Sequence, residues 1–324
     1  MVFFDFLVLL FFLAVLAKSS SYVVDNAIKL STFFGINQMA LGFLLISFST
    51  SLPELSVSVI SSTLGEGAIA VGNVFGSNIS NILLILGIAA FLYGIKLKKA
   101  NLKDIALVLV LTTLISLYII FNSLVLGGSI GFFEGFVLLL LFIFYVYSVF
   151  SKRKFDLDGR STVTKKEALS SFIYFCFFII LVLISSGFVV EYSVTIAETF
   201  GLAKSFIGAT IIAIGTSLPE LSVDLQAVRK GHYGLAIGDA IGSNMMNLTL
   251  VLGVAVIINP VSVVLHVLII ALLFAIVANI FLFYFASTTS ALSKNTGALF
   301  LVVYLIYIVT IFYFQAGVFT GSVP

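Results

Sequence analysis

Residues 19–87 align without a gap on residues 185–253, a shift of 166 positions, and 26 of the 69 aligned pairs are identical. TSLPELSV at 50–57 recurs at 216–223, and GNVFGSNISN at 72–81 recurs as GDAIGSNMMN at 238–247. A chain that carries one pattern twice must fold that pattern twice. The medium follows from composition: 61% of residues are hydrophobic and 9% charged, whereas about a quarter of a soluble chain is charged. A bilayer crossing needs about 20 apolar residues as helix. Ten stretches qualify, roughly 2–29, 37–63, 67–93, 104–122, 129–150, 168–193, 203–228, 233–258, 262–286 and 297–318. Five fall in each half, an odd number, so the second half enters the membrane from the opposite side. The expected fold is an all-α polytopic membrane protein, ten transmembrane helices in two inverted five-helix repeats. The repeats span 1–150 and 168–324, with a polar linker at 151–167.

Lysine and arginine stay on the cytoplasmic side of membrane proteins. Lys29, Lys96, Lys98, Lys99, Lys103, the basic run from Lys152 to Lys166, Arg229, Lys230 and Lys294 all fall in odd-to-even connections. Both termini are therefore expected outside a cell membrane, with the 151–167 loop cytoplasmic. The apolar start reads as a first helix and not as a cleaved signal, because no positive segment precedes it. A net charge of +2 without a basic stripe points away from nucleic acid, and nothing calls for an obligate protein partner. Cys176 is the one cysteine, which excludes an intrachain disulfide. His232 in a loop and an isolated His266 give no transition-metal site.

Inverted repeats with interrupted helices are the architecture of secondary transporters, with the site near the midplane. Here Pro53 and Pro219 interrupt the second and seventh spans, and each removes the amide that would bond the carbonyl four residues earlier, Ser49 or Gly215. Backbone oxygens so released are tolerated only where they are buried in protein or line a cavity. Glu54 and Glu220 follow the prolines directly, near mid-span, where a carboxylate costs about 3 kcal/mol on insertion scales. No Lys or Arg lies at comparable depth, which leaves a cation or a proton as partner. Thr50, Ser51, Thr216, Ser217, Ser77, Ser243, Asn81 and Asn247 supply further oxygens, the ligand type of hard cations such as Ca²⁺. Ser77 and Asn81, like Ser243 and Asn247, are four apart and share a helix face. Gly72, Gly76, Gly238 and Gly242 have the small-xxx-small spacing that lets helices approach closely.

These motifs resemble the sodium/calcium exchanger family of the cation/calcium antiporter superfamily, in its form without a large regulatory loop. Its repeats carry G-T-S-x-P-E and G-N-x-x-G-S-N, similar to residues 49–54, 72–78, 215–220 and 238–244. The resemblance implies adjacent sites for one Ca²⁺ and several Na⁺, with Glu54 and Glu220 central. It implies that Thr50, Ser51, Thr216, Ser217, Ser77, Ser243 and carbonyls near Ser47 and Ala213 complete them. It also implies that the first and sixth helices slide to switch access. The function expected is electrogenic Na⁺/Ca²⁺ antiport by alternating access, with Ca²⁺ and Na⁺ as cargo, no cofactor and no enzymatic role. Ca²⁺/H⁺ exchange is the alternative.

The chain departs from the family pattern at several positions. Ser49 stands opposite Gly215, and Asn81 and Asn247 are both neutral where some relatives have an aspartate. Asp224 and Asp239 replace Ser58 and Asn73. Asp224 is either a vestibule ligand or the partner of Arg229 and Lys230. Asp239, with Asn73 opposite, is either an accessory carboxylate or a helix-terminal residue.

Overall fold

A computed structural model describes residues 2–65, 67–98, 102–125, 130–151, 163–199, 213–260 and 265–320. The helices are α1 (Val2–Phe34), α2 (38–50), α3 (Leu52–Thr63), α4 (67–93), α5 (Leu102–Val125), α6 (Phe132–Ser151) and α7 (Lys165–Thr199). They continue with α8 (Ala213–Gly215), α9 (Leu218–Arg229), α10 (233–258), α11 (Leu265–Thr288) and α12 (Lys294–Thr320). A two-stranded link, β1 (Ile95–Lys96) with β2 (Ala291–Leu292), is antiparallel and pairs Ile95 with Leu292. The chain is thus an all-helical, multi-pass membrane protein. Among the described residues eight helices are long and apolar enough to cross a bilayer, and α2 with α3, bent by 45°, makes a ninth. The start of the expected seventh span, 203–212, lies outside the described residues.

Sequence and structure agree most closely at 67–93 and 233–258. The first span reaches Phe34, so Lys29 sits within α1 and not beyond it. Likewise α7 begins at Lys165, because Thr164 and Glu167 form a capping box there. Thr164 N–H and Oγ donate to Glu167 Oε2 at 2.7 and 2.9 Å, and Glu167 N–H donates back to Thr164 Oγ1 at 3.3 Å.

α1 and α7, equivalent under the 166-residue shift, pack along their lengths. Phe12 stacks on Phe188 at 4.3 Å and Tyr22 on Phe178 at 4.5 Å. Each pair is the image of the other under the shift, and rising numbers in one helix meet falling numbers in the other. The two helices are antiparallel. At the other end of each repeated block, α3 and α9 stop at equivalent glycines, Gly65 (φ +82°) and Gly231 (φ +80°). The left-handed conformation that ends a helix in this way favours glycine over any residue with a Cβ.

The small-residue spacing has its clearest effect at α10. A Cβ on Gly238 would lie 2.1 Å from the Met39 carbonyl oxygen, and one on Gly242 would lie 2.8 Å from Phe43 Cα. Gly42 meets α10 from the other side, 2.4 Å from the Leu235 carbonyl oxygen. Backbone therefore rests on backbone where α2 crosses α10, and the polar face of α10 is drawn against the helix break. Gly76 differs, since its nearest neighbour would be the Tyr307 hydroxyl at 3.9 Å. Gly238→Ala must push these backbones apart, and overpacking of this kind costs about 1–3 kcal/mol. The purified variant is expected to melt at a lower temperature in detergent than the parent chain; an unchanged melting temperature would show that the contact is not tight.

Candidate functional site

The helix breaks fall at Ser51 (φ −82°, ψ 7°) and Ser217 (φ −92°, ψ 11°), which lie outside regular helical geometry. Proline follows two residues later in each case, so α3 and α9 start there with Glu54 and Glu220 in their first turns. A carboxylate in that position faces the positive end of the helix dipole. Ser51 N–H still bonds the Ser47 carbonyl at 3.0 Å, whereas Ser217 N–H bonds Ile214 O at 3.1 Å. The carbonyls expected at Ser47 and Ala213 are therefore not used in the same way. Ala213 opens α8, and its side chain lies outside the described residues.

Glu54 is 1% exposed and Glu220 1%. Ser77 Oγ and Ser217 Oγ donate to Glu54 Oε1 at 3.3 and 3.4 Å, and Ser51 Oγ donates to Glu220 Oε1 at 3.5 Å. Ser217 Oγ lies 3.5 Å from Ser77 Oγ. On the α10 side, Thr50 Oγ1 and Ser243 Oγ donate to Asp239 Oδ1 at 3.4 and 3.3 Å. Each broken helix thus reaches into the opposite half: Ser217 meets Glu54, Ser51 meets Glu220 and Thr50 meets Asp239. Thr216 is half-buried at the second break. Ser47 points away from this cluster, its hydroxyl bonded to Phe43 O and Met246 Sδ.

The spacing of these oxygens is distinctive. A hydroxyl donating to a carboxylate normally sits at about 2.5–2.7 Å. Here the separations are 3.3–3.5 Å. In an oxygen octahedron with cation–oxygen bonds of about 2.4 Å, neighbouring oxygens are about 3.4 Å apart. Glu54 Oε2, Glu220 Oε2, Asp239 Oδ2, Asn81 Oδ1 and Asn247 Oδ1 are buried and receive no hydrogen bond. Buried acceptors are rarely left so. Among the described residues no three carboxylate, histidine or cysteine groups converge on one point. A cation here would therefore draw part of its shell from hydroxyls and amides.

Sequence reasoning missed Asn78 and Asn244. Asn78 Nδ2 donates to Asn244 O at 3.3 Å and Asn244 Nδ2 to Asn78 O at 3.0 Å. Asn81 Nδ2 donates to Asn244 Oδ1 at 3.0 Å, and Asn247 Nδ2 to Asn78 Oδ1 at 3.2 Å. Four amides form one reciprocal clasp between α4 and α10, and it leaves the Asn81 and Asn247 oxygens uncommitted. Helix geometry helps, because both helices widen into a π turn here, Ser80–Ile85 and Asn247–Val251. Such turns gather at functional sites. The signal was present as the recurring asparagine three residues before Asn81 and Asn247.

Both aspartates differ from one of the readings open in the sequence. Asp224 does not pair with Arg229 or Lys230: Arg229 is exposed, and Lys230 Nζ bonds Asp25 Oδ1 at 2.7 Å and the Ser21 carbonyl at 2.7 Å. Asp239 is not helix-terminal, since it lies in mid-helix between Tyr233 and Met246. Asn73 donates to Ser58 Oγ at 3.0 Å and to Glu54 O at 3.1 Å. His232 precedes α10 and contacts Gln38 Nε2 through Nδ1 at 3.2 Å. Partial burial, then the charge of Lys230, holds its imidazole below the usual histidine range.

Residues 4–151 and 170–313 match the family model described as sodium/calcium exchanger protein. The chain belongs to the sodium/calcium exchanger family. It is 29% identical to sodium/calcium exchanger MaX1 of Methanosarcina acetivorans over 95% of this chain and 99% of that one. It is 31% identical to inner membrane protein YrbG of Escherichia coli over 76% and 78% of the two chains. Its fold is similar to a solved structure of the sodium-calcium exchanger NCX_Mj soaked with 10 mM Na⁺ and zero Ca²⁺, with TM-score 0.84, 27% identity and coverage of 95% and 99%. In this exchanger chain the asparagine clasp ties the two site helices together. Asn78→Ala and Asn244→Ala are each expected to destabilise by about 1–3 kcal/mol, because each orphans buried partners. Together they should cost less than the sum, and strictly additive melting shifts would sink the clasp.

Proposed function

We propose that the protein is a secondary active antiporter that exchanges Na⁺ for Ca²⁺ by alternating access. The observation that carries this reading is the oxygen cage: buried carboxylate, hydroxyl and amide oxygens from both halves, spaced as a cation's coordination shell and lacking enough donors. Glu54 and Glu220 are the central ligands, with Ser51, Ser77, Ser217, Ser243, Thr50, Thr216, Asn81 and Asn247 around them. Backbone oxygens near Ser47 and Ala213 contribute. Family membership and the likeness to an exchanger structure soaked in Na⁺ support both the cargo and the coupling ion.

The architecture follows as ten spans in two inverted repeats, 1–150 and 168–324. The antiparallel α1 and α7 support it, as do contacts between residues equivalent under the shift, Asn78 with Asn244 and Thr113 with Asn279. Charge placement supports a cell-membrane location with outside termini and a cytoplasmic 151–167 loop. The cycle turns on neutralisation. An empty dianionic site is too costly to occlude in a low-dielectric interior, so the protein crosses between states only when loaded. If three Na⁺ exchange for one Ca²⁺, one net charge moves, worth about 2.3 kcal/mol per 100 mV, and the exchange is electrogenic.

Proteoliposomes test this directly. An imposed Na⁺ gradient should drive Ca²⁺ uptake, and a pH gradient without Na⁺ should not. Uptake driven by the pH gradient alone would instead establish Ca²⁺/H⁺ exchange. Glu54→Gln and Glu220→Gln should each reduce Na⁺-driven uptake to the level of protein-free vesicles, and full activity in either would remove the central assignment.

A further inference from the structure

The repeat supplies an internal control for the two aspartates. At the first-half positions, Asn73 Nδ2 donates to Ser58 Oγ at 3.0 Å, a neutral pair that satisfies itself. The equivalent positions in the second half hold Asp239 and Asp224, whose carboxyl groups lie against one another. Two carboxylates bring only acceptors to the contact. Asp224 is 1% exposed and Asp239 0%. Apart from a proton shared between the two carboxyl groups, neither oxygen of Asp224 receives a hydrogen bond, nor does Asp239 Oδ2. Among the described residues Asp239 Oδ1 meets the hydroxyls of Thr50 and Ser243, at 3.4 and 3.3 Å, and Thr50 Oγ1 also lies 3.1 Å from Ile46 O. Among the described residues the cations nearest Asp224 in sequence lie elsewhere: Arg229 is exposed and Lys230 is bonded to Asp25. One half of the protein has a closed hydrogen bond where the other half has two carboxyl groups that only a proton or a cation can join.

We infer that Asp224 and Asp239, with the Thr50 and Ser243 hydroxyls, form an additional Na⁺ subsite beside the Glu54/Glu220 centre. The identity of the occupant follows from charge. Asp239 shares Thr50 and Ser243 with the central cluster, so an ion between the aspartates sits next to any Ca²⁺ at the centre. A second divalent ion there meets twice the repulsion that a monovalent ion meets. Na⁺ relieves the carboxylate pair at the smaller cost, and its oxygen shell uses the spacing already present. A subsite on one half only also makes the two halves unequal in ion demand. The inference rests on the central site proposed above as its neighbour, but it can be read without transport.

The test is Asp224→Ser with Asp239→Asn, which installs the pair that Ser58 and Asn73 already form in the first half. Na⁺ titration against choline at constant ionic strength, followed by the melting temperature of purified protein, reads the subsite without flux. The variant is expected to need about 10- to 100-fold more Na⁺ for half-maximal stabilisation, the loss typical of removing a supporting metal-site group. In proteoliposomes the Hill coefficient for Na⁺ should fall by about one. Asp224→Asn alone serves where the double variant is not monodisperse, with the same direction expected. Unchanged Na⁺ stabilisation in a folded variant would overturn the subsite, and so would a parent chain whose stabilisation follows pH and ignores Na⁺, which would make the occupant a proton. Failure of the transport reading looks different: no Na⁺-driven Ca²⁺ uptake in the parent chain, with Na⁺ stabilisation and its loss in the variant intact.

Discussion

Burying a carboxylate away from water costs several kcal/mol unless an opposite charge or a set of donors meets it, and this chain buries four in one region without a lysine or arginine among the described residues bonded to any of them. Much of the local architecture can be derived from that constraint. The prolines open two helices so that Glu54 and Glu220 sit on the dipoles of new helix starts. Glycines at 42, 238 and 242 let α2 and α10 touch through backbone, which seats Thr50 against Asp239 and Ser243. The asparagine clasp then binds amide N–H groups to amide and backbone oxygens across α4 and α10 and leaves the Asn81 and Asn247 side-chain oxygens without a hydrogen bond. A packing device, a helix break and a hydrogen-bond network all act to surround negative charge with oxygen dipoles while withholding a fixed positive charge. A site built this way stays open to a mobile cation.

The internal shift of 166 residues recurs in the contacts themselves. Asn78 touches Asn244 and Thr113 touches Asn279, each residue meeting its own equivalent. Such self-contacts occur where a two-fold relation passes through a structure. The relation matters for the proposed exchange because two halves with one sequence pattern can trade conformations. In that proposal, whatever opens one half to one side of the membrane would have a counterpart that opens the other half to the other side. The paired ring stacks of α1 and α7 show the same relation between these long helices.

Long apolar runs made most of the fold legible in the sequence. The spans at 67–93 and 233–258 were read to their ends because Gly94 and Asn259 terminate them in non-helical backbone. The extension of α1 to Phe34 was not, since Lys29 resembles a loop residue by composition while remaining helical by backbone. In the site, residue type carried the reading: an acidic residue after a mid-span proline has few uses in hydrocarbon. What composition could not carry was partnership. Asn78 and Asn244 look like motif spacers until the packing of α4 on α10 brings them into mutual contact. Asp224 looked like a partner for the basic pair five and six residues on, but Lys230 lies on the α1 side and takes Asp25 and the Ser21 carbonyl. Helical spacing fixes a face, and only packing fixes what that face meets.

The departures from symmetry are as informative as the symmetry. If both halves held a Ser58–Asn73 type of pair, the inward-open and outward-open states would place the same charge in mirrored surroundings. With Asp224 and Asp239 on one side only, the charge that must be neutralised is displaced toward the second half, and conformations that move the two halves differently also move that charge differently. A membrane potential acts on displaced charge in proportion to the distance it travels across the field. In the proposed exchange, ion selectivity and voltage sensitivity would then be coupled through the same two side chains, because the residues proposed to add a ligand also move the centre of negative charge away from the Glu54–Glu220 midpoint.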